Sequence, residues 1–485
     1  MRWIALALLT AVAVVYASTR PARRLRPDRI VWLPAAFLAL ILVSASWSSD
    51  GRLTLGRAFT LLLLFVGAGA IAFGSGAGER AVSRILLALL VAAAAVAVGG
   101  GIDLAIEPDR ALVPATTTSP ARYNGLGGNP NMIAMLLGVC LPLAAWSFLE
   151  ARSVRAKAAA VAVFLVFDAS LVASGSRGAL LGASVGLIAF GLALPYGRTI
   201  RAALAVGAVG LLALNLGLTQ LPPHADRNPV LYSEFGVQLP LGPSDAQFIL
   251  PLESEFGFPA EGFEAKGRPR SLFSTSGRAS AWEGAVKQAL ERPVLGYGFG
   301  TEDRVFVDRF YTFYSSTVEN SFLGAALQLG VVGLGLLLAL IAALAARGVR
   351  ALGSMAGPAR PVAAACLGVV AAGVVLGMTQ SFLTSVGNPA TAPFWLSAFL
   401  LAGLATNSAP PRPARPRLRS EADEGKAGEG EEEAAQWDRE AGLDVVHRQY
   451  GGVDEEEDGD AASRAAARER EPGQGKHDQR PVEGL

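Results

Sequence analysis

Apolar runs long enough to cross a lipid bilayer recur along most of this chain and leave few folds open to it. A hydrocarbon core of about 30 Å takes about 20 apolar helical residues. Windows of that kind fall near residues 2–18, 30–47, 58–74, 85–106, 132–149, 158–173, 179–195, 202–219, 321–345, 362–384 and 392–405. The expected fold is an all-α polytopic membrane protein with about 11 transmembrane helices. Several windows are short and rich in Ala and Gly, which suits closely packed helices. Composition agrees, because 52% of the 485 residues are hydrophobic and only 17% charged, where a soluble domain carries about 25% charged residues.

One long polar and aromatic stretch, residues 220–320, interrupts the apolar pattern. It divides the chain into an N-terminal transmembrane bundle (1–219), a large loop (220–320), C-terminal transmembrane helices (321–405) and a charged tail (406–485). Lys and Arg are distributed unevenly among the short connections. One alternating set holds Arg20 to Arg29, Arg80, Arg84, Arg152, Arg155, Lys157, Arg198, Arg201, Arg347, Arg350, Arg360 and Arg412 to Arg419. The opposite set holds only Arg52, Arg57, Arg110, Arg122 and Arg177. The bias of about threefold makes the richer side cytoplasmic. The large loop is then extracytoplasmic and the tail cytoplasmic. The tail carries about 20 acidic and 12 basic residues, so it is near −8 and the rest of the chain near +9. Its Pro/Arg-rich and Glu/Asp/Gly-rich composition cannot bury enough apolar surface to offset chain entropy, and it is expected to be disordered. The first apolar run resembles a signal peptide, but the arginine cluster and further span after it read as a retained helix.

The polar inventory excludes several chemistries. Cys140 and Cys366 both lie in apolar runs, so the loop has no disulfide framework. Of three histidines only His224 lies in the loop, and no metal site is expected. No cofactor is expected, no nucleic-acid partner, and no phosphate loop of the kind that would drive ATP-dependent transport. The loop holds about 15 of the chain's 37 aromatic residues, among them Tyr232, Phe235 and the Phe306–Tyr314 cluster. A small domain outside the bilayer needs such a core; aromatic faces also stack on sugar rings.

Four outward segments carry residues that could do chemistry. In Arg122-Tyr-Asn-Gly-Leu-Gly-Gly-Asn-Pro-Asn131, Asn129 reads as an N-cap with Pro130 at the first helical position. That leaves Arg122 and Asn131 unexplained. Ser174-Gly-Ser-Arg-Gly178 is a tight turn presenting Arg177 at the membrane face. A planar, permanently charged guanidinium can grip two phosphate oxygens at once. Asp168, inside the bilayer, is costly unless paired, and a neighbouring arginine is its expected partner. The third segment is a helix from Arg278 to the region of Pro293. Arg278, Trp282, Val286 and Leu290 share one broad face, with the last three expected to pack on the bundle. A Gly/aromatic stretch, Leu295-Gly-Tyr-Gly-Phe-Gly300, follows. The fourth is Val318-Glu-Asn-Ser-Phe322, where Ser316 and Glu319 read as a capping box. A carboxylate at a helix N-terminus is stabilised in its ionised form.

The pieces GLGGNPNMIAMLLGVCLPL, ASGSRGALLGASVGL, GRASAWEGAVKQALERPVLGYGFG and VENSFLGAALQLGVVGLGLL, in this order around a large outward loop, resemble the bacterial O-antigen ligase and O-antigen polymerase superfamily. The resemblance covers about residues 120–345. It implies a plasma-membrane glycosyltransferase that takes a glycan from undecaprenyl diphosphate at the outer face and transfers it to a hydroxyl of a glycan, lipid or protein acceptor. Arginines at the positions of Arg177 and Arg278, with Arg122, would bind the diphosphate. Lipopolysaccharide ligases have a histidine where this chain has Glu319. That departure weakens the lipopolysaccharide-ligase reading and leaves polymerase-like or other glycan-ligase members open, with Glu319 as acceptor base and Asn320, Asn131, Asn129 and Trp282 on the substrates. The alternatives are a flippase for lipid-linked oligosaccharide and a membrane-anchored scaffold. A flippase would carry charged or broken-helix residues at mid-bilayer, and a scaffold leaves the SGSRG turn without a purpose.

Overall fold

In the computed structural model the described residues are 2–19, 29–74, 78–114, 120–126, 129–219, 230–232, 238–240, 278–306, 317–353, 355, 357, 359–385 and 387–407. The chain divides near residue 410 into two units. The second, with the expected disordered tail, lies outside the described residues, as does most of the first half of the loop. There the described residues are two short strands, Val230–Tyr232 and Gln238–Pro240, paired antiparallel.

The apolar windows fold as helices. Numbered along the chain, these are α1 (Arg2–Ser18), α2 (Trp32–Val43), α3 (Gly51–Gly69), α4 (Glu79–Ile106), the short α5 (Pro108–Ala111), α6 (Pro130–Glu150), α7 (Val154–Ser174), α8 (Arg177–Ala193) and α9 (Arg198–Leu218). After the loop's first half come α10 (Arg278–Ala289), the short α11 (Glu302–Val305), α12 (Ser321–Leu352), α13 (Ala359–Gly377) and α14 (Thr391–Asn407). Seven of the helices are long and apolar enough to cross a membrane, and α1, α2, α8 and α14 are shorter apolar helices at the other expected positions. Helices α3 and α4 begin several residues before their apolar windows, so the turns carrying Arg52, Arg57, Arg80 and Arg84 are themselves helical.

Burial separates a central layer from a peripheral one. In α6, 72% of the apolar window is buried, but only 11% in α9, so α9 turns most of its apolar surface outward. The centre is built on close backbone approach. A Cβ on Gly186 would lie 2.7 Å from the Gly368 carbonyl oxygen, and one on Gly368 would lie 2.9 Å from that of Gly186. Glycine therefore lets α8 and α13 meet, the route by which helices associate where lipid removes any hydrophobic drive. Trp395, Phe394, Phe399 and Phe65 pack edge-on or tilted at centroid distances of 4.7–6.4 Å, and the Trp395 indole donates to the Leu383 carbonyl at 2.6 Å.

Two expectations about this framework are corrected. Among the described residues Asp168 is not paired with an arginine: its carboxylate accepts from the Asn215 amide at 2.7 Å. Asn215 is buried on the neighbouring α9, so a polar partner from the adjacent helix meets the need a charged one was expected to meet. On α10 the buried positions are Ala281, Gly284, Ala285 and Gln288, with Trp282 half-buried; Val286 and Leu290 are exposed. Small residues allow close packing on α12, and the more apolar side chains are left outside.

The feature that positions the site is a break in α12. At Gly330 the backbone has φ 64° and ψ −165°, a combination essentially confined to glycine. The Gly/aromatic segment docks into this break. Val331 N–H donates to Pro293 O at 2.8 Å, Tyr297 N–H to Leu327 O at 3.1 Å and Gly298 N–H to Gln328 O at 2.8 Å. The loop is thus hydrogen-bonded into a helix that its own insertion interrupts.

Candidate functional site

The four segments converge at the end of the bundle that carries α10. Asn129 caps α6 as expected, accepting from Asn131 N–H at 2.8 Å, with Pro130 at the first helical position. Arg122, on a two-residue strand just upstream, crosses to the next turn. Its Nε donates to the Ser174 carbonyl at 2.7 Å and its terminal nitrogen to Asn131 Oδ1 at 2.9 Å. This explains Asn131, which holds the arginine, and Gly175, whose φ of 62° closes α7 against the Arg122 side chain. Arg177 opens α8 two residues further on.

Arg278 opens α10, and its guanidinium faces the Glu319 carboxylate at 3.5 Å, both side chains less than a fifth exposed. The Arg278 Nε and the Trp282 indole N–H are buried without hydrogen-bond partners. Burial, then the charges of Arg278 and Arg177, push the Arg122 guanidinium down to about 10, with Glu319 pulling it back up. Three guanidinium groups therefore lie within electrostatic reach of one another, two of them, Arg122 and Arg278, also within reach of the Glu319 carboxylate. Such a group is unfavourable by itself and complementary to a multiply charged anion.

The capping box is corrected. The N-cap of α12 is Asn320, whose Oδ1 accepts from Phe322 and Leu323 N–H, both at 3.0 Å. Glu319 precedes the cap and is the one non-glycine residue with positive φ among the described residues, at 56°; Ser316 lies outside them. An L-residue held in this region costs about 1 kcal/mol or more. Here that conformation turns the carboxylate toward Arg278. The surroundings fix it, because Asn320 N–H donates to the Ser381 hydroxyl at 3.1 Å and the Asn320 amide to Met378 O at 2.9 Å.

Behind this turn sits Glu302, a residue that no local motif marks. It is 8% exposed. Its Oε1 accepts from Val318 N–H at 2.7 Å and the Ser381 hydroxyl at 2.8 Å, and its Oε2 from the Gln328 amide at 3.1 Å. The Gln328 side-chain oxygen Oε1 in turn accepts from Gly300 N–H at 2.6 Å. One carboxylate thus ties the Gly/aromatic segment, broken α12 and the α13–α14 connection together. Its partners lie 16, 26 and 79 residues away, too far apart for any local pattern to reveal. Arg57 adds a clamp from α3, a fork on Asp303 at 2.8 and 2.9 Å plus a hydrogen bond to Gly300 O.

Burial pushes the Glu302 carboxyl up to about 7, against the hydrogen bonds from Val318 and Ser381. The native state then keeps this proton where the unfolded chain has released it. From about pH 4.5 to 7 stability therefore falls as pH rises. Glu302→Gln is expected to flatten the decline in unfolding temperature between pH 5 and 8 in detergent. An unchanged slope would remove Glu302 as its source.

Apolar helices of bilayer length, with a cluster of arginines at one end, define a multi-pass membrane protein. Residues 160–338 match the O-Antigen ligase family model, so this part of the chain is similar to that family. The match runs from α7 past the break in α12 and so contains Arg177, Arg278, Trp282, Glu319 and Asn320, while Arg122, Asn129 and Asn131 lie before it. No curated protein matches the chain. Among the described residues no group of His, Cys, Asp and Glu side chains could hold a metal ion.

Proposed function

We infer that the protein is a lipid-carrier-dependent glycosyltransferase of the ligase or polymerase type, multi-pass in the plasma membrane. The large loop faces outward and the tail lies in the cytoplasm. Its donor is a glycan on undecaprenyl diphosphate and its acceptor a hydroxyl of a glycan, lipid or protein. The observation that carries the reading is the meeting of Arg122, Arg177 and Arg278, with Glu319 paired to Arg278, in the segments that carry the family resemblance.

The reaction is a single displacement. The acceptor oxygen bonds to the anomeric carbon, the bond from that carbon to the phosphate oxygen breaks, and its electron pair leaves with the diphosphate. Arg177 and Arg278 stabilise that departing charge, with Arg122, already bound to Ser174 and Asn131, extending the positive field. Fixed cationic donors placed where charge develops contribute more to rate than any other device open to such a site. Glu319 orients the acceptor hydroxyl and takes its proton. The ion pair with Arg278 holds its carboxylate in place, so orientation is the larger part of its role. Asn320, as helix cap, positions the Glu319 turn. Asn131 acts on the donor through Arg122, Asn129 by fixing the start of α6, and Trp282 flanks Arg278 with a buried indole N–H able to meet a sugar hydroxyl. Inversion at the anomeric carbon follows from the single displacement.

Removing the gene tests this in cells. Carrier-linked glycan is expected to accumulate at the outer face, with surface polymer shortened or unattached. Accumulation at the inner face would instead indicate movement across the bilayer and contradict the reading.

A further inference from the structure

A cavity of about 960 Å³ lies beside the arginine cluster rather than in it. Its lining includes Thr317 at the start of the Glu319 turn and Ser381 behind that turn, but none of Arg122, Arg177, Arg278 or Glu319. The Ser381 hydroxyl donates to Glu302 and accepts from Asn320 N–H. Whatever occupies the cavity therefore rests against the back of the turn that carries the proposed acceptor base.

The lining differs in chemistry from the cluster. Two carboxylates, Asp50 and Asp303, and the buried Glu302 carboxyl line it together with two guanidinium groups, Arg52 and Arg57, and Arg57 is already forked onto Asp303. This balance does not suit a diphosphate. Carboxylates and the hydroxyls of Ser381, Thr384 and Ser385 can accept from and donate to many hydroxyl groups, and the exposed Phe59 ring offers a face for sugar C–H groups. The volume lies at the upper end of the range of about 300–1,000 Å³ usual for small-molecule sites, enough for the end of an oligosaccharide.

We propose that this cavity holds a polyhydroxylated acceptor glycan behind its reacting sugar, against the back of the Thr317–Asn320 turn, with the reacting hydroxyl reaching past that turn to Glu319. The acceptor role rests on the transfer reading; glycan binding in the cavity is separately measurable. The test uses the full chain in nanodiscs and photo-crosslinking diazirine probes. The probes are oligosaccharides of glucose, N-acetylglucosamine and glucuronic acid, and a polyprenyl diphosphate lacking sugar. At least one oligosaccharide is expected to label residues 50–60 and 381–387. Thr384→Trp should cut that labelling at least tenfold and leave polyprenyl diphosphate labelling unchanged. Arg278→Ala should do the reverse. The proposal is overturned if no oligosaccharide labels the cavity, if labelling survives Thr384→Trp, or if polyprenyl diphosphate labels the cavity. A wild-type protein that takes oligosaccharide in the cavity but no polyprenyl diphosphate near Arg278 supports the glycan site and overturns the transfer reading.

Discussion

Arg278→Lys is expected to lose most of the transfer activity that Arg278→Ala loses. Removing one preorganised donor to a developing anion costs about 100- to 1,000-fold in rate, and Arg278→Ala should fall in that range. Lysine keeps the charge but not the fork. It cannot pair with Glu319 through one nitrogen while its Nε and other terminal nitrogen meet phosphate oxygens, as the arginine can. In the wild-type protein Glu319 lies 3.5 Å from one terminal nitrogen, and the Nε is buried without a partner. Such a group is complete only with a further acceptor present. A loss of about 30-fold or more for Arg278→Lys therefore follows, measured as transfer of labelled glycan in vesicles at equal protein levels. Near-normal activity in both variants would take Arg278 out of diphosphate binding.

Gly330→Ala is expected to be the most damaging single-methyl change in α12. At φ 64° and ψ −165° alanine is strained before any contact is counted. The added Cβ would also lie 2.2 Å from the carbonyl carbon of Val294. That atom is backbone, so no rotamer change relieves the overlap, and relief requires the Gly/aromatic segment to leave the break. With it go the bonds from Val331, Tyr297 and Gly298 and the support for Gly300 and Glu302. A loss of about 3 kcal/mol or more is expected, seen as a lower unfolding temperature in detergent and a lower yield. Gly335→Ala in the same helix is the control, because nothing lies within 4 Å of its added Cβ. It should be neutral or slightly stabilising. If the two variants behave alike, the break at Gly330 does not hold the loop.

Much of this architecture is legible in the chain because bilayer thickness acts directly on sequence. It makes long apolar windows, and every expected window holds an apolar helix. The Asn129-Pro130 start of α6 is legible for a similar reason, since cap and first position obey local rules. Legibility fails where two local rules compete. Ser316 with Glu319 fits a capping pattern, but Asn320 stands directly before the apolar run and takes the cap. Glu319 is thereby forced into a left-handed turn that no pattern announces. On α10, hydropathy favours Val286 and Leu290 as the inner face, whereas close packing selects Ala281, Gly284 and Ala285. The roles of Glu302, Gln328 and Ser381 are invisible in sequence because their bonds depend on the break at Gly330 and on helices far apart along the chain.

Transfer from a diphosphate carrier at the arginine cluster beside Glu319 can be measured directly with the purified chain in sealed vesicles. The vesicles hold carrier-linked glycan, radiolabelled in its first sugar, and a hydroxyl acceptor. Label should pass to the acceptor as free carrier diphosphate appears in equal amount, with both signals collapsing together in Arg278→Lys. Label that crosses the membrane still bound to its carrier, with no diphosphate released, would contradict a transferase and indicate a flippase.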